Sequence, residues 1–244
     1  MLLLTLIFAA YADDTQSITY DLVMSGSVVG HRELSIRYLD PHEDQEGEVR
    51  ILESWTEIDA RIRGLPVQIR NRATARATDS RGSFSSSMSI NGSIEEIQGR
   101  QLPDGQWQLT RVRENQIAEQ LIRRTEVDLS SLDLFDPVRG NLFVAPGPVG
   151  VVSVETGLLL RGPVEDLGEE ELTIDGQTVL VNRWGFDSDE GRVELSRSIE
   201  GLILGWTMNI EGEELRATAR SVPPERSFDT IAPLFGEQVL EEEL

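Results

Sequence analysis

The sequence predicts an all-β protein: one large curled antiparallel sheet forming a barrel or half-barrel, with one short helix or irregular segment near residues 128–150. Three observations carry this. Apolar and polar residues alternate with period two along most of the chain, and helical periodicity is nearly absent. Turn dipeptides such as Asn91-Gly92 and Asp175-Gly176 interrupt the alternation at short intervals, as hairpins between neighbouring strands require. One alternating run of some fourteen residues, Leu65 to Thr78, has a length of roughly 45 Å at about 3.3 Å per residue. A strand that long curls, and its inward Ala73, Ala75 and Ala77 suit a tapered interior.

Taken in order, Ile18, Tyr20, Leu22 and Met24 share one face of a first strand, and Ser25-Gly26 turns the chain. Val28, Leu34, Ile36 and Tyr38 restore the pattern, with Val29, His31, Glu33, Ser35 and Arg37 on the wet face. After the long strand, Phe84, Ser86, Met88 and Ile90 align before Asn91-Gly92, the dipeptide best suited to a two-residue turn with positive φ. Weaker strand signals cover Ile94 to Arg100, Trp107 to Arg113 and Ile117 to Arg124. From Asp128 to Gly150 the rhythm breaks. Ser130-Ser131 can cap one short helix through Leu134-Phe135, and Pro137, Pro146 and Pro148 forbid a continuous strand. Strands then resume over Val152 to Leu160, Val164 to Ile174, Thr178 to Phe186, Val193 to Ser198, Leu202 to Ile210 and Glu214 to Arg220. The expected total is twelve to fourteen strands, mostly joined by tight turns, hence an antiparallel meander.

The chain divides into an export signal at 1–12, a single antiparallel β-domain at 13–222 and an acidic C-terminal tail at 223–244. The signal reading rests on an apolar run ending in Ala10-Tyr11-Ala12 ahead of Asp13-Asp14. A membrane-spanning helix needs about 20 apolar residues, more than this run holds, so cleavage is expected rather than a transmembrane span. The apolar stretch Phe228 to Phe235 in the tail reads as a segment folding back on the barrel.

Composition narrows the function classes. There is no cysteine, which removes disulfides, thiolate metal sites, a Cys nucleophile and a lipid-bearing Cys. Acidic residues number 43 against 22 basic ones, all arginine, for a net charge of −21. Such a field repels nucleic acid and anionic membrane surfaces, so neither is an expected partner, and it fits an exported protein of a salt-tolerant bacterium.

Motifs for chemistry are weak throughout. His31 lies on a polar strand face, and His42 sits in the acidic loop Asp40 to Glu48, which lacks the ligand spacing of a calcium loop. Asp187-Ser-Asp-Glu-Gly191 reads as an acidic turn. No Gly-x-Ser-x-Gly elbow, phosphate-binding loop or dinucleotide fingerprint occurs, so no catalytic residue, metal site or cofactor is assigned. A carboxylate-based hydrolase remains a minority alternative, because accidental carboxylate pairs are inevitable among so many acids.

The stretches Tyr20-Asp-Leu-Val-Met-Ser-Gly26 with Val-Val-Gly30, Asp133-Leu-Phe-Asp-Pro137, Gly191-Arg-Val-Glu-Leu and Gly201-Leu-Ile-Leu are similar to those of uncharacterised exported β-proteins of Gram-negative bacteria. That resemblance implies a curled barrel or half-barrel. Some of these proteins stand beside or are fused to transglutaminase-like peptidases, and they bear a distant similarity to periplasmic lipoprotein carriers, whose half-barrel holds acyl chains. Without cysteine, no transglutaminase-like active site exists here. The leading expectation is a non-catalytic envelope protein binding a lipid or other apolar ligand, with Leu65, Val67, Ile69, Leu132, Leu134, Phe135, Leu142 and Phe143 as candidate lining. The alternative is a structural or accessory interaction module for an envelope protein partner, presenting strand edges or its tail.

Overall fold

The computed structural model describes residues 15–39, 49–78, 81–137 and 148–223. One sheet of fifteen strands makes up almost all of it. Its first arm comprises β1 (Thr15–Met24), β2 (Ser27–Leu39), β3 (Val49–Ile62), β4 (Leu65–Ala77), β5 (Gly82–Ile90), β6 (Ser93–Gln101), β7 (Trp107–Arg113) and β8 (Gln116–Ile122). The second comprises β9 (Leu129–Ser130), β10 (Pro148–Val152), β11 (Leu159–Ile174), β12 (Gln177–Ser188), β13 (Gly191–Arg197), β14 (Ile203–Ile210) and β15 (Glu213–Ala219). The first and last strands pair at the centre of the sheet, with Tyr20 opposite Ala219, so β8 and β9 are its two edges. Every neighbouring pair is antiparallel except β9 with β10. The sheet is curled and does not close.

The alternation decides which side is inside. Ile18, Tyr20, Leu22 and Met24 are buried on β1, and Leu204 and Trp206 on β14 join Ala217 and Ala219 on β15 in the same core. Asn91 and Gly92 take φ of 49° and 86°, the left-handed pair whose twist matches that of the flanking strands. Glycine also lets backbone and rings approach. The Phe84 ring lies against Gly99 and tilts onto Trp107 at 5.6 Å, so two aromatics fill the notches that Gly82 and Gly99 leave.

Two expectations need correction. Val28 is 65% exposed, because the register slips from Leu22 opposite Gly30 to Val23 opposite Val28, and the extra residue Val29 turns Val28 outward. Val152 to Leu160 is not one strand: β10 ends at Val152, and Ser153 to Leu158 forms a loop in which the Ser153 hydroxyl accepts the Thr156 N–H and Gly157 has a φ of 63°. β11 is correspondingly longer than expected, beginning at Leu159, and a register shift beside Gly168 divides it. The short helix expected near 130 is present as a single 3-10 turn, Asp133–Phe135. The signal segment, the 40–48 loop with His42 and residues 224–244 of the C-terminal tail lie outside the described residues.

The outer face of the second arm is stitched by charge. Arg183 joins Glu170 and Glu194, and Arg192 joins Glu194, Asp187 and Glu165. Burial pushes the Glu194 carboxyl up, but the hydrogen bonds from Arg192 and Arg183 outweigh it and hold the group below the usual carboxylate range. Beside this network Leu172, from the β11–β12 hairpin, packs against Gly205 on the side of β14 opposite Trp206.

At Gly30 a side chain would collide with backbone, since an added Cβ would overlap the Glu57 carbonyl oxygen. Gly30→Ala should therefore destabilise the protein by about 2–3 kcal/mol, read as a fall in urea midpoint, whereas Gly26→Ala, with open space around it, should cost only about 1 kcal/mol from its positive φ.

Candidate functional site

The concave side of the sheet is occupied by the chain itself. From the end of β8 the backbone passes through a 3-10 turn at Arg124–Glu126, and the strap Leu129–Pro137 then lies across the interior. Short-range chemistry shapes it. The Asp133 carboxylate accepts the Ser130 N–H and hydroxyl, both at 2.9 Å, and Asp128 accepts the Gly150 N–H at 2.8 Å while its own N–H donates back to the Gly150 carbonyl. The loop after β10 is tied to the strap. The Ser131 hydroxyl donates to Glu155 at 2.7 Å and accepts the Val154 N–H at 3.0 Å.

Three arginines on inward positions of the sheet hold this filling. Arg32 of β2 pairs with Glu155 at 3.2 Å and lies 4.7 Å over the Phe135 ring, which meets Tyr20 edge-on at 6.1 Å. Arg50 of β3 forms an ion pair with Asp136 at 3.8 Å, and the Tyr38 hydroxyl donates to the same carboxylate at 3.4 Å. Arg197 of β13 donates to the carbonyls of Pro137 at 3.0 Å and Gly201 at 2.8 Å. Burial lowers the Arg197 pKa, with nearby Asp136 opposing, and burial pushes the Tyr20 phenol up although Arg32 opposes it. The Tyr20 hydroxyl is satisfied by the Ile203 carbonyl at 2.8 Å. Farther along, the Arg111 guanidinium donates to the Thr156 carbonyl.

Between the start of the strap and the ends of β4 to β7 lies a cavity of about 530 Å³. Arg81, Arg124, Gln101 and Asp128 give its walls a polar character, and Phe84, Trp107 and Leu129 are among its apolar lining. Asp128 and Asp133 are both engaged by the backbone and Ser130. Among the described residues no group of three or more His, Asp or Glu side chains is arranged to hold a metal ion.

The candidate lining residues separate. Leu132 is fully buried and Phe135 nearly so, with Leu134 packed against the core, so all three are filling. Leu65 is 68% exposed beside the β3–β4 turn, and Val67 and Ile69 are half-buried along the same strand. None of these six borders the 530 Å³ cavity. Leu142 and Phe143 lie outside the described residues. The arginines were legible but overlooked: Arg32 shares the parity of inward Leu34, Arg50 that of Leu52, and Arg197 that of Leu195.

No family model and no curated protein matches the sequence. A solved structure does match: the β-barrel-like protein of domain of unknown function DUF1849 from Brucella abortus, a Gram-negative bacterium, with a TM-score of 0.57 over 85% of this chain and 96% of that one. The two share a fold. Identity is 11%, so the likeness reaches the architecture alone. Within the described residues no helix is long and apolar enough to cross a membrane.

The Arg50–Asp136 pair should behave as a buried ion pair. Asp136→Ala should destabilise the protein by about 3–5 kcal/mol by stranding a buried guanidinium, and the double variant Arg50→Met/Asp136→Leu should recover most of that loss in a denaturation-based mutant cycle.

Proposed function

We propose that this is a non-catalytic, exported envelope protein that acts as an interaction module, receiving an extended segment of a partner along the free edge of β8. The observation that carries this reading is the unprotected edge itself. All of β8 is exposed except Ile122, with Ile117 and Leu121 turned to solvent. Edge strands are normally blunted by proline, lysine, bulges or brevity. Gln116-Ile-Ala-Glu-Gln-Leu-Ile122 carries only Glu119 as a charge and no proline, and its pairing with β7 is regular from end to end. The opposite edge, β9, is two residues long and buried. A strand added at β8 gains main-chain hydrogen bonds for affinity and contacts with Ile117 and Leu121 for specificity.

An apolar ligand inside the curl is the weaker reading. Leu132 and Phe135 take up interior space that an acyl chain would need, and the cavity nearest the strap is polar. A carboxylate-based hydrolase finds little support, since Asp128 and Asp133 are committed to structural hydrogen bonds. An association with transglutaminase-like peptidases is one form the interaction can take, the partner then supplying the cysteine this chain lacks.

The test uses the full chain in its native cell. A photo-crosslinking residue in place of Glu119 should give one discrete protein adduct that is absent when the probe replaces Leu180, exposed on β12. The adduct should fall several-fold in an Ile117→Lys/Leu121→Lys background. No adduct, or the same adducts from both positions, rejects the edge reading. Protein recovered from the envelope fraction should start at Asp13, and a retained residue 1 argues against cleavage of the signal.

A further inference from the structure

We propose that the outer face of β3 to β7 is a binding site for a short acidic oligosaccharide, distinct from the β8 edge. Strand register places three rows of side chains there. Trp55, Arg72 and Ser87 form the first, Thr74, Ser85, Gln98 and Thr110 the second, and Arg76, Ser83, Arg100 and Gln108 the third. Two adjoining depressions run across these rows. One, of about 710 Å³, is bordered by Trp55 and Arg72, and the other, of about 460 Å³, by Arg76 and Arg100.

The arginines are the anomaly. In a chain with 43 acidic residues and 22 arginines, carboxylate partners are plentiful. The second arm uses them at Arg183 and Arg192, and on this arm Arg70 binds Glu57 and Asp59 at its flank. Among the described residues, neither Arg72 nor Arg76 has a carboxylate within 4.0 Å, and Arg100 is held only by the Gln108 side-chain oxygen, at 2.7 and 3.0 Å. The acids on these rows are Glu33 opposite Trp55, Glu53 opposite Thr74, Glu96 opposite Ser87 and Glu119 at the far rim. Glu53 is taken up by Arg37, and among the described residues none of the four pairs with Arg72, Arg76 or Arg100. Guanidiniums left unpaired in an acidic protein form a local site for an anion.

The surroundings select the kind of anion. Ser83, Ser85, Ser87, Thr74 and Thr110 offer hydroxyls, and Gln98 and Gln108 offer amides, the groups that exchange hydrogen bonds with a sugar. Trp55 is 50% exposed and presents an indole for the apolar face of a ring. Arg76 and Arg100 stand two strands apart, about 10 Å at the usual strand spacing, so they can engage acidic groups on different residues of one oligosaccharide. A single aromatic platform does not suit a run of stacked bases. The net charge of −21 repels long polyanions, whereas a short ligand sees mainly charges within a Debye length of about 8–10 Å.

Calorimetric titration of the full mature chain with tetragalacturonate tests this. The expected result is saturable binding with a Kd of roughly 0.1–1 mM at low salt, weakening as salt rises, and no heat from uncharged maltotetraose. Arg72→Gln/Arg100→Gln should weaken binding at least about tenfold, and Trp55→Ala should weaken it several-fold, while both variants keep the parent melting curve because these side chains face solvent. Absence of binding, equal binding of tetraglutamate, or binding indifferent to these substitutions would overturn the proposal.

Discussion

The connection between the two sheet edges constrains everything else. Fifteen strands laid flat would span about 65–70 Å at about 4.8 Å per strand. The backbone from Ile122, ending one edge strand, to Leu129, beginning the other, reaches at most about 25 Å. A sheet of this width whose edges are tied by so short a link has to curl until they approach. Right-handed twist from hairpins such as Asn91-Gly92 supplies the bending, and close-approach sites such as Gly30 let the backbone follow it.

Curling creates an interior that side chains of one sheet cannot fill, and the link supplies the filling. The strap runs directly out of the connection that enforces the curl, and it brings polar backbone into a region closed to water. That backbone needs partners. Arg197 serves the carbonyl of Pro137, and Arg111 does the same for the loop after β10. Asp136 balances Arg50, and Glu155 balances Arg32, so the strap carries its own counter-charges inward. The result is a barrel-like body with a polar, partly salt-bridged centre. The remaining 530 Å³ of space inherits that polarity from Arg81, Arg124 and Asp128.

Much of this architecture was legible because strand periodicity is a local signal. Tyr20, Leu34, Leu204 and Trp206 are inward as alternation requires, and the break near 128–150 coincides with the strap and its 3-10 turn. Misreadings arose where one residue changes the phase or the chain turns without a strong breaker. Val29 is such a residue, and Ser153 to Leu158 is such a turn, held by a serine hydroxyl and by contacts with Arg32 and Arg111 from distant strands. The candidate site was less legible for the same reason. Leu132 and Phe135 look the same in sequence whether they line a ligand or replace one, since neither the burial of Leu132 nor the contacts of Phe135 with Tyr20 and Arg32 leave a local pattern. Ion pairs of the Arg50–Asp136 kind join residues too far apart in sequence for any spacing rule.

The pairing of the first strand with the last has a consequence in time. β1 finds its second neighbour only when β15 has been made, nearly two hundred residues later, so Tyr20 stays uncovered on that side through most of synthesis. Contacts of such sequence separation form slowly. The β1–β15 seam at the centre of the sheet is thus the last pairing to form, after the hairpins of both arms have their strands.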